Sequence, residues 1–439
     1  MAVVRADQAR RNDTVTAQTT DTSQPAGAIV GSGSTGASGR PGNVRPARLP
    51  SLTGLRFPAA LLVFAYHAAL PIPALRLFGD DAVVGRFYDV AGQAGALGVS
   101  FFFVLSGFVL TWSARDGDTT VAFWRRRFVK IYPPYVVAWI LAMLLFAGAY
   151  TPAWQATMNL FMLQVWVPDF NLNFSVDPPS WSLGTEAFFY AAFPLVFLLV
   201  RRIRPKHLPI WIGAVVVAIF ATPLLSYAAL PDTPAIPGGE QASVSQYWFA
   251  YLLPPVRLLD FALGMLVARA VLAGRWRNIG MTASAVLLLV TYVSTNYVPY
   301  LYGQRAMCVI PIVGLIAATA TADAEGRFTP FRNRTMIWLG EISFAFYLLH
   351  FIVLAYGRSL LGDRFLSTSA GIAMLLAELV VAILVSWAMY AWLERPITRR
   401  WSWSRTSRRV PPPATALPEQ RRPGSADASS APLTASAEH

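Results

Sequence analysis

The chain has a single cysteine, Cys308, which excludes an intrachain disulfide and any multi-cysteine metal site. Its position inside an apolar run marks it as a small buried hydrophobe, and no resident metal is expected. Lysine is almost absent, with Lys130 and Lys206 the only two, so arginine carries nearly all of the positive charge. Charge of either sign is scarce: 13% of the 439 residues are charged against 55% hydrophobic, and mean hydropathy is +0.46. That balance excludes one soluble domain of this size and points to a polytopic membrane protein. The net charge of +13 is no sign of nucleic-acid binding, because no basic, aromatic-interleaved soluble segment exists to carry it. The chain also shows no internal repeat, which speaks against an inverted-repeat transporter.

What the sequence does have is long apolar runs. They fall at 55–73, 96–113, 131–149, 181–200, 208–229, 247–268, 279–296, 305–322, 335–356 and 369–393. The expected fold class is therefore all-α, a membrane helix bundle of about ten transmembrane helices. Arginine-rich loops alternate with arginine-poor ones. If the N-terminus is cytoplasmic, the inner loops hold Arg125, Arg126, Arg127 and Lys130, then Arg201, Arg202, Arg204 and Lys206. Arg305 falls among the few left for outer loops. An even span count puts both termini in the cytoplasm, in a cell membrane. Residues 1–48 and 401–439, rich in small and polar residues, are expected to be disordered tails around a membrane domain at 49–400.

Ionisable residues inside apolar runs are costly and mark function or a specific partner. Arg56 and His67 lie eleven residues apart in the first run. In a helix that spacing is about 1100°, or roughly 20° past three turns, with a rise of about 16 Å. One strip of helix thus presents a guanidinium low and an imidazole high. A neutral imidazole takes a proton from a hydroxyl as it attacks a carbonyl, then returns it. Glu186 in Trp181-Ser182-Leu183-Gly184-Thr185-Glu186 and His350 in the ninth run come at similar depths. Glu186 is a candidate to orient a histidine, or else to pair with an arginine. His67, Glu186 and His350 are therefore the candidate catalytic set. Arg125, Arg126, Arg127 and Lys130, with Arg56, are candidates to grip the phosphates of a donor such as an acyl-coenzyme A, although a positive inner boundary alone accounts for the cluster equally well. Arg257 and Asp260, at i and i+3, read as a structural ion pair.

The ordered set of motifs resembles acyltransferase family three, the integral-membrane O-acyltransferases. The resemblance runs from about Ser51 to Pro396. It rests on the Arg56-to-His67 spacing, Phe101 to Phe108, the basic run ending Tyr132-Pro133, Trp181 to Glu186, Leu339 to His350, and Glu394-Arg395-Pro396. It implies transfer of an acyl group, commonly acetyl, from cytoplasmic acyl-coenzyme A to a hydroxyl, commonly of a sugar, on a surface glycan, glycolipid or secreted metabolite. It also implies that His67 is essential, with Arg56 accompanying it. A family pattern of two arginines three apart stands here as Arg127 with Lys130, which keeps the charge and loses the bidentate fork at position 130. Some relatives carry an extra esterase-like domain that passes the acyl group on. None is evident here, so the acceptor is expected to reach the membrane domain itself. The alternative reading is a proton-coupled exporter of an anionic or glycosylated substrate, with the intramembrane His and Glu relaying protons.

Overall fold

The computed structural model describes residues 49–114, 118–238 and 241–401. The expected tails lie outside them, except that Trp401 ends a short helix, Arg395–Trp401. Each of the ten apolar runs holds a helix: α1 (Pro50–Ala69), α2 (Ala94–Trp112), α3 (Thr120–Leu145), α4 (Trp181–Arg202), α5 (Leu208–Ala229), α6 (Pro254–Leu272), α7 (Met281–Ser294), α8 (Val309–Ala324), α9 (Arg334–Ser359) and α10 (Thr368–Met389). No strand occurs among the described residues.

Eight helical segments are long and apolar enough to cross a membrane. The other two expected spans fall short for separate reasons. α6 carries Arg257, Asp260 and Arg269 along its length, and α7 has only 14 residues, or about 21 Å against a hydrocarbon core of about 30 Å.

Boundaries follow local chemistry more than hydropathy. α1 begins five residues before the apolar run, with Pro50 in its first turn, where a missing N–H costs nothing, and it closes before Pro71. Its second residue is tied down by Asp323 at the end of α8, which accepts from Ser51 N (2.8 Å) and Ser51 Oγ (2.5 Å). α3 begins at Thr120, capped by the Thr119 hydroxyl, so the whole Arg125–Lys130 cluster is helical. The sixth run breaks at Leu253, and α6 starts afresh at Pro254.

The rim helices are patterned for lipid. On α10, Leu376, Val380 and Leu384 are exposed while Glu378 and Ser386 are buried. On α5, Leu224 and Leu225 are exposed while Thr222 and Ser226 are buried. Apolar outside and polar inside is the order a bilayer solvent selects.

Inner helices approach through glycine. A Cβ on Gly107 of α2 would lie 1.9 Å from Phe261 O of α6, and one on Gly264 would lie 2.0 Å from Val104 O. These reciprocal contacts let two backbones touch where dispersion supplies the attraction. Gly264→Val is expected to cost about 1–3 kcal/mol, the usual penalty of overpacking, read as a lowered melting temperature in detergent. Unchanged melting would show that the α2–α6 seam does not hold the bundle. α1 and α9 pack the same way: a Cβ on Gly340 would lie 1.8 Å from Thr53 O.

The structure corrects the place of Arg305. It is no outer-loop residue but is 2% exposed and paired with Asp260, which also lies 3.6 Å from Arg257 Nε. The sequence pattern offered Asp260 one partner, and the fold supplies two, because the short helix Tyr300–Arg305 turns its last residue onto α6. Arg257 also donates to Ser100 Oγ (3.0 Å) and lies over the Phe103 and Tyr251 rings at 4.9 and 5.1 Å.

Candidate active site

α1 and α9 run parallel, touching at Thr53 and Gly340 near their starts and again at His67 and His350 higher up. His350 Nε2 lies 3.0 Å from His67 Nδ1. The hydrogen-bond partners fix both tautomers of the neutral pair. His350 Nδ1 is 2.8 Å from Tyr347 O and 3.1 Å from Phe346 O, both acceptors only, so it carries the proton and Nε2 keeps its lone pair. His67 Nδ1 faces that lone pair and Val63 O at 3.0 Å, so it too must donate. The lone pair of His67 is left on Nε2, the arrangement of a base or nucleophile. Phe64, Tyr66 and Phe351 pack around the two rings and hold their planes.

Near this pair, though lined by neither histidine, is a narrow cleft of about 70 Å³ walled by Arg56, Lys130, Glu186, Tyr190, Ser343 and Tyr347 among others. The cleft reaches the histidines through Tyr347, whose ring centroid is 5.9 Å from that of His350. The Tyr347 hydroxyl shares a proton with Ser182 Oγ at 2.7 Å and donates to Pro179 O at 3.2 Å. It thereby ties the site to the segment between α3 and α4. That segment is ordered, with Asn159 Nδ2 donating to Ser175 O (2.9 Å) and Trp248 Nε1 to Val165 O (2.9 Å). It buries Asp177, whose carboxyl is pushed well above the usual carboxylate range by loss of water.

Glu186 does not join the histidines. Its carboxylate accepts from Ser106 Oγ (3.0 Å) and from the Tyr190 hydroxyl, one helical turn along α4. Glu186 lines the same cleft, and backbone carbonyls do the orienting that a carboxylate was expected to do.

The basic cluster divides because consecutive residues on a helix fan out by about 100° each. Arg127 and Lys130, three apart, share a face: Arg127 lies over the Phe123 and Tyr190 rings at 5.8 and 6.0 Å, and Lys130 enters the cleft beside Arg56. Arg126 is paired with Asp118, and Arg125 is exposed. Buried Glu394 is close enough to Lys130 and Arg56 to interact with both.

Tyr190 and Tyr347 are site residues that sequence reasoning passed over. Their spacing from Glu186 (i+4) and His350 (i−3) was a usable signal. Ser106 carried none, since its partners lie 80 and 84 residues away. Among the described residues, no group of three His, Cys, Asp or Glu is placed to hold a metal.

A histidine pair with one imidazole lone pair available, near a cleft with cationic side chains inside a bundle of long apolar helices, has the chemistry that group transfer in a membrane requires. Comparison with known proteins gives the family: residues 49–391 match the model of the acyltransferase domain, and the chain belongs to that family of membrane O-acyltransferases. It is similar to acyltransferase MdmB of Streptomyces mycarofaciens, with 38% identity over 383 residues covering 84% of this chain and 97% of that protein. It is also similar to O-acetyltransferase OatA of Staphylococcus aureus (strain NCTC 8325 / PS 47), at 23% identity over 81% of this chain and 58% of that protein. Peptidoglycan O-acetyltransferase OatA of Listeria monocytogenes is 26% identical over 80% of this chain and 56% of its own length. The chain thus spans little more than half of either OatA protein. No solved structure matches it significantly. Membership of this family decides between the two sequence readings in favour of an enzyme, an O-acyltransferase, over an exporter.

Proposed function

We propose that the enzyme takes a short acyl group, acetyl above all, from acyl-coenzyme A at the cytoplasmic face of the plasma membrane. It passes the group to a hydroxyl, that of a sugar on a surface glycan, glycolipid or secreted glycosylated metabolite. In this reading both termini are cytoplasmic. The observation that carries it is the His67 Nε2 lone pair, left available by the contact with His350 in a bundle that also holds a cleft lined by Arg56 and Lys130.

Arg56, Lys130 and Arg127 supply positive charge for the donor's phosphates, with Arg125 and Arg126 on the flanks of the same helix. His67 Nε2 accepts the acceptor's hydroxyl proton as that oxygen attacks the thioester carbonyl. The C–S bond then breaks and the proton passes from His67 to the departing thiolate. Glu186 holds Tyr190 and Ser106 along the cleft wall. The family and the names of its relatives support acyl transfer to oxygen, and the O-acetyltransferase names among them support acetyl.

The test is mass spectrometry of envelope glycans, lipids and secreted metabolites from the parent organism, a deletion strain, and that strain restored with wild type or His67→Ala. One compound is expected to lose an acyl-sized mass on deletion and regain it only with the wild type. Membrane vesicles given deuterated acetyl-coenzyme A are expected to place the label on that compound. Rescue by His67→Ala would end the mechanism, and label that never leaves the coenzyme would end the donor assignment.

A further inference from the structure

Tyrosines gather at the His67 end of α1. Tyr66 precedes His67 and sets its ring edge-on to the imidazole, with centroids 4.9 Å apart. Tyr247 and Tyr251 come from the turns before α6, and Tyr300 opens the short helix that ends at Arg305. Their rings are held in place. Tyr66 lies on the bare backbone of Gly95, where a Cβ would come 2.5 Å from its Cδ1. Tyr247 packs 5.1 Å from Tyr251 and 6.1 Å from Tyr300, and Tyr251 also meets Trp181 at 5.0 Å and the Arg257 guanidinium at 5.1 Å. Tyr66 is close enough to Tyr251 to interact with it, as Tyr247 and Tyr300 are to Tyr66, so separate stretches of chain bring their phenols together. Tyr247 and Tyr251 are buried, and Tyr66 and Tyr300 are half-buried. Yet none of the four hydroxyls has a hydrogen-bond partner among the described residues, and each keeps open surface. A buried phenol normally finds a partner within the protein. Several without one in one place mark a site whose partners come from outside the chain.

We propose that this cluster binds the acceptor as a sugar ring, with its C–H face on the tyrosine rings and its hydroxyls bonded to theirs. The proposal rests on the acyl transfer to a sugar put forward above, and adds where that sugar is held. An apolar occupant leaves the phenol hydroxyls unsatisfied. A charged one finds no free counter-charge, because the ions near the cluster, Arg257, Arg305 and Asp260, are fully buried and engaged with one another. A neutral ring bearing several hydroxyls meets both conditions. Its hydroxyls match phenols as donor or acceptor, and its C–H faces stack on aromatic rings. Arg56 lies about 16 Å down α1 from His67, toward the opposite end of the helix. The donor's phosphates and the sugar thus approach the imidazole from opposite ends, and Tyr66 stands where they meet.

The experiment is saturation-transfer NMR on the full-length protein in nanodiscs. The probes are the methyl glycosides of glucose, galactose, mannose and N-acetylglucosamine, with cyclohexylmethanol as a control of similar size and one hydroxyl. At least one glycoside is expected to receive saturation, and the control none. Tyr247→Phe combined with Tyr300→Phe keeps both rings and removes hydroxyls that bond nothing in the protein, so melting is expected to stay at the wild-type value. The glycoside Kd is expected to rise about tenfold or more, from about three- to tenfold for each hydrogen bond lost. In vesicles supplied with the unacylated envelope fraction of a deletion strain, the same double variant should raise the acceptor KM by a similar factor at unchanged donor KM. Binding of no glycoside, equal binding of the control, or an unchanged Kd in the double variant would overturn the proposal and leave a cluster filled by water. Glycoside binding that depends on Tyr247 and Tyr300, in a protein that transfers no acyl group, would support the site and end the proposed function instead. If the double variant melts early, Tyr66→Phe, with a Kd expected about three- to tenfold above wild type, decides the question.

Discussion

His67→Ala is expected to lower acyl transfer by about 10²–10⁴-fold, the range over which a positioned acid–base group contributes, while the protein inserts and melts as the wild type does. The expectation rests on His67 Nε2 being the lone pair that the partners of Nδ1 leave available. His350 acts through His67 and is a positioning residue, so its substitution distinguishes chemistry from packing. His350→Phe keeps an aromatic ring among Phe346, Phe64 and Tyr347 but leaves Val63 O as the remaining acceptor for Nδ1–H of His67. His350→Gln restores an acceptor oxygen. We expect kcat to fall in His350→Phe at nearly constant KM, with part of the loss recovered in His350→Gln. The measurement is steady-state transfer from radiolabelled donor in vesicles, with protein amount fixed by immunoblot. Wild-type kcat in His350→Phe would show that the histidine contact has no part in catalysis.

Asp260→Ala is expected to destabilise the bundle by about 3–5 kcal/mol, the cost of leaving a buried charge without its partner. Asp260 is the one carboxylate against two arginines, Arg257 and Arg305, and all three side chains are fully buried. Removing it leaves two cations at the junction of α6, α2 and the segment before α8, with no water to screen them. Thermal melting in detergent, followed by the loss of monodisperse protein on size exclusion, measures the effect. Arg305→Met in the Asp260→Ala background should recover part of the loss, because it removes one uncompensated charge. An Asp260→Ala protein that melts with the wild type would mean that this ion cluster is not what joins the helices.

The two expectations draw on different parts of what a sequence can express. The class of fold is written locally: each apolar run holds a helix, since hydrophobicity and backbone satisfaction in lipid act on one segment at a time. Helix ends were only partly legible, because Pro50, Thr119 and Pro254 set them by turn and cap chemistry rather than by hydropathy. Arg56 and His67 were readable as a pair because one helix carries both and its period fixes their common face. The split of Arg125, Arg126 and Arg127 was equally implicit in that period once the helix was known to begin at Thr120.

Contacts between helices were beyond its reach. Glu186 looked the first choice to support His67, with His350 second, and only the packing of α1 against α9, admitted by Gly340, brings one imidazole to 3.0 Å of the other and leaves Glu186 with Ser106 and Tyr190. Arg305 looked like a loop residue until the fold laid it on Asp260. The sequence by itself determined that this protein is a membrane helix bundle with a guanidinium and an imidazole on one strip, because those properties depend on residues within a few turns of each other. The tertiary structure alone decided which lone pair is available and which charges neutralise each other. Those depend on side chains up to 283 residues apart in sequence, whose meeting is set by the close approach of separate helices.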